Sequence, residues 1–279
     1  MKRVVITGSS RGIGRGLARE FLRGGHRVVV SGSGAQSTER AVAALGEEFG
    51  PDRVAGVPCD VTDADQVQVL WYQAFAILGG IDIWINNAGV TAPAKPFWEV
   101  DLGSIQQAVD INLRGTLNGC HVAMRGMRTQ GGGHIYNMEG FGSDDRKQRG
   151  LATYGSTKRA VRYLNQALAK EAKDGPVKVC ALSPGIVITD FILGQARHSE
   201  SAERWEQSKG IFNIIGDKVE TVTPWLVEQM LREPANGKLI AWMTGPKLLY
   251  RFLASRIGKG RDLFDGVDIE NGLEVWRVV

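Results

Sequence analysis

Tyr154 and Lys158 place a phenol and an ammonium four residues apart in the stretch Tyr154-Gly155-Ser156-Thr157-Lys158. On a helix, positions i and i+4 share a face. Ala160, Val161, Tyr163, Leu164, Ala167 and Leu168 follow at helical spacing, which predicts a helix whose other side is core. A phenol with a pKa of about 10 is a poor proton donor at neutral pH. A neighbouring cation favours the phenolate and lowers that value, and a phenol tuned toward working pH serves as a general acid or base. Against this stands a helix that merely carries a tyrosine and a lysine. The pair alone does not separate the two.

A second stretch could bind phosphate. Arg3 to Thr7 reads as a buried β-branched strand, Thr7 to Gly14 reads TGSSRGIG, and Leu17, Ala18, Phe21 and Leu22 recur at helical spacing. Strand, glycine turn and helix form the opening of a dinucleotide site. Glycines let the backbone approach a pyrophosphate, and the helix N-terminus supplies N–H donors. The candidate cradle is Gly8, Ser10, Arg11, Gly12, Ile13 and Gly14, although its glycine spacing is not the standard fingerprint. An acid about twenty residues on would hold the ribose hydroxyls of NAD. Here the second strand, His26 to Ser31, runs into Gly32-Ser33-Gly34, with no acid until Glu39. Arg11 in the loop and a neutral Ser33 favour a 2′-phosphate, hence NADPH. The other reading leaves Arg11 as surface decoration.

The elements that must carry these groups alternate. Helices are expected near 38–49, 63–78, 104–127 and 220–231, and strands near 53–58, 81–85, 134–138, 177–182 and 238–243. Such alternation predicts an α/β, Rossmann-type, doubly wound parallel sheet of about seven strands. Residues 1–279 are expected to form one domain, with a C-terminal helical extension from about 246 to 279. Ligands in such sheets sit beyond the C-terminal strand ends. Gly8 to Gly14, Asp60 with Val61, and Asn87-Ala88-Gly89 all fall there. Asn112 lies inside the 104–127 helix, where asparagine is either neutral filler or a bend-former. Residues 186–217 show weak periodicity and are expected to be a mobile segment over the site.

The chain has 279 residues, 43% apolar and 23% charged, which suits a core-forming globular domain. A net charge of +4 is too mild to suggest nucleic acid. Cys59, Cys120 and Cys180 are scattered, as are the four histidines, so no metal site is expected. No apolar run reaches the roughly 18 residues of a membrane span. The first strand begins near Lys2, so a signal or transit peptide is not expected in this chain and a cytoplasmic location is.

Taken in order, TGSSRGIG, Asp60, Asn86-Asn87-Ala88-Gly89, Asn112, Tyr154/Lys158 and Ser183-Pro184-Gly185 with Thr189 resemble the short-chain dehydrogenase/reductase family. IDIWINNAG (Ile81 to Gly89), GGHIYNMEGFGSD (Gly132 to Asp144), YGSTKR (Tyr154 to Arg159) and PKLLYRFL (Pro246 to Leu253) look, more narrowly, like the chlorophyll b reductases of plants and their bacterial relatives. The resemblance implies NADPH-dependent reduction of a formyl group, that at C7 of chlorophyll(ide) b, to a hydroxymethyl group. It assigns Tyr154 as proton donor, Lys158 as its tuner and ribose ligand, and Asn112 as holder of a relay water. It places Asp60 and Val61 at the adenine and Asn87, Ala88 and Gly89 at the adenosine-side ribose. Pro184, Gly185, Val187 and Thr189 go to the nicotinamide end. It implies a homodimer or homotetramer, and for a plant protein a plastid stroma or membrane surface. Reduction of another aldehyde or ketone, steroid-like or 3-oxoacyl, is the alternative. A non-catalytic NADP-binding regulator is a second.

One departure stands out. The family carries a serine just after the fifth strand, and the aligned position here is Gly140, preceded by Glu139. Ser143 is either its replacement or a loop-capping residue. For a tetrapyrrole, Trp98, Phe141, Phe191, Ile192, Trp205, Phe212 and Trp225 are candidate cleft walls, or core. The tail from Pro246 to Arg261 interleaves Leu248, Leu249, Phe252, Leu253 and Ile257 with Lys247, Arg251, Arg256, Lys259 and Arg261. It is either a helix for an anionic membrane surface or a packing element.

Overall fold

The computed structural model describes residues 1–197, 202–258 and 261–265. Four βα steps and a fifth strand open the chain: β1 (Arg3–Ile6), α1 (Gly12–Arg23), β2 (Arg27–Val30), α2 (Ala35–Phe49), β3 (Val54–Gly56), α3 (Ala64–Leu78), β4 (Ile83–Asn86), α4 (Leu102–Val109), α5 (Gly115–Gln130) and β5 (Gly133–Met138). The second half runs α6 (Ala152–Glu171), β6 (Val177–Ser183), β7 (Ile186–Ile188), α7 (Asp190–Arg197), α8 (Ala202–Ile215), β8 (Gly216–Lys218), α9 (Val219–Leu231), β9 (Leu239–Ala241) and α10 (Gly245–Ile257).

Seven strands pair in parallel in the order β3-β2-β1-β4-β5-β6-β9. Strands buried on both faces read as continuous apolar runs rather than alternating ones. Val4-Val5-Ile6, Val28-Val29-Val30 and Ile83-Trp84-Ile85 do so, and none of the nine side chains is more than 3% exposed. One face packs under Leu17, Phe21 and Leu22 of α1 and Val222 and Leu226 of α9. The other packs under Leu70 and Trp71 of α3 and Val122, Ala123 and Met127 of α5. The chain leaves β1 toward β2 and β3, then returns to place β4 on β1's other side. That reversal opens a crevice at the C-terminal ends of β1 and β4.

In the 186–217 segment, whose residues 198–201 lie outside the described residues, the described residues form regular elements. β7 and β8 pair in parallel apart from the main sheet. Ile188, Ile192, Leu193, Trp205, Leu263 and Phe264 form a separate small core there. Trp205 meets Phe264 edge-on at 5.5 Å. The periodicity is weak because a third of this core, Leu263 and Phe264, arrives from far along the chain.

The tail helix exists, and its charges are committed to the protein's own body. Asp217 in β8 is 1% exposed. It pairs with Arg251 at 2.8 Å and Arg261 at 2.9 Å, and accepts the Trp242 indole N–H at 2.6 Å. Lys247 Nζ sits 2.9 Å from the Trp242 ring centroid. A carboxylate this deep needs paired cations and hydrogen bonds to offset its lost hydration. Of the tail's described basic residues only Arg256 lies outside this clamp, and Lys259 lies outside the described residues. Leu249, Tyr250, Leu253 and Ile257 remain exposed on the outer side. No helix among the described residues is long and apolar enough to cross a membrane.

Candidate active site

Helix α6 delivers Tyr154 and Lys158 to one side, as their spacing predicts. The same side carries the buried Val161 and Asn165. Lys158 is 4% exposed. Its Nζ donates to the Met138 carbonyl at 3.0 Å, at the C-terminal end of β5, and lies 5.7 Å from the Tyr154 ring centroid. Burial draws the lysine down to about 8, with the Glu139 carboxylate pulling the other way. Burial pushes the Tyr154 phenol up, opposite to the shift expected from the Tyr/Lys spacing. The physical reason is desolvation: a buried phenolate loses its hydration, and that cost dominates.

Asn112 sits where the expected 104–127 helix is interrupted by one π-helical turn, Asp110–Arg114, between α4 and α5. Single π turns of this kind mark functional places in helices. Three hydrogen bonds hold the Asn112 carboxamide. Its Oδ1 accepts from the Val90 N–H at 2.8 Å, and its Nδ2 donates to the Val90 carbonyl at 2.8 Å and to Thr157 Oγ1 at 3.1 Å. The Thr116 hydroxyl donates to the Asn112 carbonyl at 2.7 Å. Asn112 therefore ties the loop after β4 to α6, the helix that carries Tyr154 and Lys158.

Gly140 lies directly against the phenol. A Cβ there would fall 2.2 Å from the Tyr154 hydroxyl oxygen and 3.2 Å from Lys158 Cγ. A serine at this position would displace Tyr154 rather than assist it. Ser143 closes a turn, its N–H donating to the Gly140 carbonyl at 3.1 Å. Gly142 takes φ +89°, and a Cβ on it would meet Gly155 Cα at 2.6 Å. The Ser143 hydroxyl donates to Glu139 Oε2 at 3.0 Å, and its carbonyl accepts from Arg159 at 3.0 Å. The geometry matches the loop-holding role weighed for Ser143.

The crevice at β1 and β4 fits a dinucleotide. Gly8 and Gly12 have φ of +62° and +56°. A Cβ on Gly8 would sit 2.7 Å from Ala88 Cα, and one on Gly14 2.5 Å from Asn87 Nδ2. The loop is thus drawn tight against the strand ends, and no side chain caps the N–H groups at the start of α1. Arg11 is exposed at that N-cap, with no ion pair among the described residues. Ser10 approaches Gly32, so the loop adjoins the neutral, exposed Ser33. On the far side, Thr189 Cγ2 lies 3.7 Å from where a Gly12 Cβ would be. Gly185, at φ +73°, turns the chain beyond buried Pro184 and ahead of buried Val187.

Two of the expected side chains also shape the backbone around the crevice. The Asn87 side chain donates to the Thr7 and Gly8 carbonyls, both at 2.9 Å, so its amide shapes the loop. Asp60 Oδ1 accepts from Thr62 N and Oγ1, both at 2.9 Å, which fixes the turn leading into buried Val61. Ala88 and Gly89 follow in the same loop, where a Gly89 Cβ would lie 3.2 Å from Asn112 Oδ1.

Among the expected cleft aromatics, Phe191 stands over the site at 5.4 Å from the Tyr154 ring, and Trp98 is 82% exposed. Most of the others take the core alternative. Trp205 and Phe212 pack on each other at 6.2 Å, with Ile192 in the same cluster. Trp225 packs on Trp242 at 5.4 Å. Phe141 lines a cavity of about 980 Å³ on the opposite side of α6, with Leu117, Leu151 and Tyr163. Packing against partners remote in sequence claims these rings, and their clustering in the chain carries no sign of it. Residues the sequence did not flag also hold the site. Thr157 supports Asn112, and a buried amide chain runs Asn86–Asn137–Asn165 at 2.8 and 3.1 Å. Among the described residues there is no cluster of His, Cys, Asp or Glu able to hold a metal ion.

A doubly wound sheet with a phosphate loop at the switch point and a Tyr/Lys pair at its C-terminal edge defines a dinucleotide-dependent oxidoreductase. The short chain dehydrogenase family model matches residues 2–199, and the chain belongs to that family. It is 40% identical over 266 residues to "Chlorophyll(ide) b reductase NOL, chloroplastic" of Arabidopsis thaliana, covering 92% of this chain and 74% of that one. Among solved structures, a short-chain type dehydrogenase/reductase from Mycobacterium marinum has a TM-score of 0.76 at 26% identity, covering 86% and 93% of the two chains. L-sorbose reductase from Gluconobacter frateurii, complexed with NADPH and L-sorbose, has a TM-score of 0.74 at 24% identity, covering 86% and 94%, a likeness of fold.

Proposed function

We propose that the protein is an NADPH-dependent reductase of a pigment aldehyde, the C7 formyl group of chlorophyll(ide) b, yielding the hydroxymethyl product. The observation that carries this reading is the 40% identity over 92% of the chain with a relative of that name. The site is compatible with a large flat substrate. Phe97, Trp98 and Leu102, on the segment after β4, are 55%, 82% and 82% exposed, and Gly140 presents no side chain to the phenol. The plant relative is named chloroplastic, and a plastid location is the corresponding proposal.

The loop of Gly8 to Gly14 would hold the pyrophosphate, Arg11 the 2′-phosphate, Asp60 and Val61 the adenine, and Thr189 with Pro184 to Val187 the nicotinamide end. When bound, a reduced nicotinamide supplies the hydride that turns the carbonyl carbon tetrahedral. Tyr154 donates its phenolic proton to the alkoxide oxygen so formed, and the Lys158 ammonium stabilises the phenolate left behind. Phe191 and the Val90 loop pinned by Asn112 exclude water from the exchange.

The test is turnover of chlorophyllide b, followed by the loss of its absorbance with each reduced cofactor. NADPH is expected to exceed NADH in kcat/KM. Arg11→Ala should cut that preference by about 5- to 150-fold, the equivalent of roughly 1–3 kcal/mol for a charge-assisted phosphate contact. Equal kcat/KM for both cofactors in the parent protein would remove the NADPH assignment. Reduction of simple aldehydes but not the pigment would remove the substrate.

A further inference from the structure

Glu139 is a buried carboxylate to which the mechanism above gives no task. It follows β5 directly and is 4% exposed. Its N–H donates to the Leu182 carbonyl at 2.8 Å, which fixes the backbone at the sheet's edge. Its Oε2 accepts the Ser143 hydroxyl at 3.0 Å and lies 3.7 Å from the Arg162 guanidinium. Arg162 stands one helical turn beyond Lys158 on α6. The residue before Glu139, Met138, supplies the carbonyl that receives the Lys158 ammonium at 3.0 Å. The residue after it, Gly140, is the one pressed against the Tyr154 hydroxyl. One carboxylate thus sits between the anchor of the lysine and the contact of the tyrosine.

We propose that Glu139 is a positioning residue: its carboxylate keeps the Lys158 ammonium charged and, through Ser143, holds the Gly140 turn against Tyr154. A buried charge persists only with compensation. The Ser143 hydroxyl, Arg162 and Lys158 together offset this burial only in part. The charged and titratable groups facing the cluster are Tyr154 and Arg162 from α6 and Asp144 from the loop, while Arg159 is taken by Asp145 at 3.1 Å. Burial lowers Lys158 to about 8 and Glu139 opposes that fall. The carboxylate itself is raised by its burial, and the Ser143 bond counters this. In the Tyr154 mechanism, a neutral lysine cannot stabilise the phenolate, so the rate of reduction falls as pH rises through the Lys158 titration. Removing the negative charge moves that fall to lower pH.

The role rests on the reductase reading, and one measurement of it does not. Lys158 is titrated by NMR in protein with isotopically labelled lysine, the signal identified by its loss in Lys158→Arg. In Glu139→Gln the midpoint is expected to fall by about one pH unit, the low end of what losing a nearby opposite charge does. In parallel, the alkaline limb of kcat/KM for any carbonyl the protein reduces should move by the same amount in the same direction. Should Glu139→Gln fail to fold, Arg162→Gln removes the competing cation and should move both upward. Unchanged midpoints in the variant that folds would overturn the proposal, even if the rate fell, because a purely structural role lowers rate without moving a titration. Absence of turnover with an NMR midpoint that moves as expected would overturn the reductase reading and leave the electrostatic role of Glu139 standing.

Discussion

Tyr154→Phe should lower kcat by about 10²–10⁴, the contribution of a positioned general acid, while leaving the fold and cofactor binding intact. The structure makes this a clean deletion. The ring keeps its contact with Phe191 at 5.4 Å. Among the described residues the phenolic oxygen has no hydrogen-bond partner, so removing it strands no donor or acceptor. Thermal stability should therefore be unchanged or slightly raised, since a half-buried hydroxyl without a bond adds nothing to the native state. The experiment pairs single-turnover kinetics with a melting curve. A rate near that of the parent protein would take Tyr154 out of the mechanism. A lost rate accompanied by a lowered Tm would show that the effect is one of packing.

Gly140→Ala is the second expected large effect, and it opposes what the resemblance to a serine-bearing family invites. The added methyl would stand 2.2 Å from the phenolic oxygen and 3.0 Å from Cζ. That approach is impossible, and the cheapest relief is a swing of the Tyr154 ring, since Gly140 is fixed between β5 and the Ser143 turn. A displacement of about 1 Å at a reacting group can cost 10²-fold in rate. We expect kcat to fall by about that factor, with KM for the cofactor little changed because the phosphate loop is remote. Gly140→Ser should fall similarly and not recover activity through its hydroxyl. A Gly140→Ser protein at or above the parent rate would mean that the turn yields more readily than Tyr154 does.

Much of this arrangement was legible in the chain. The alternation of apolar strands with amphipathic helices dictates a parallel sheet, because only a crossover helix joins parallel neighbours and only full burial tolerates runs such as Val28-Val29-Val30. The positive φ of Gly8 and Gly12 is a local demand that glycine meets without strain. The four-residue spacing of Tyr154 and Lys158 is likewise local, and a helix converts it into a shared face without help from the rest of the protein. The interruption falls at Asn112, which the sequence marked as filler or bend-former, although its amide bonds Val90 and Thr157 and not its own helix.

What the sequence could not show depends on partners brought from far away. The phenol's shift has the opposite sign to the one spacing implies, because burial is a property of the assembled site and its cost dominates. Trp205 and Trp225 are equally aromatic on paper. One packs on Phe264 and the other on Trp242, so neither walls the cleft. Arg251 and Lys247 read as a basic face until Asp217 and Trp242, from other elements, claim them. Glu139 carried no signal beyond standing beside a missing serine. Only the packing of α6 on the end of β5 sets it beside Ser143 and Arg162, next to the carbonyl that holds Lys158, where a carboxylate acts on the field of the site.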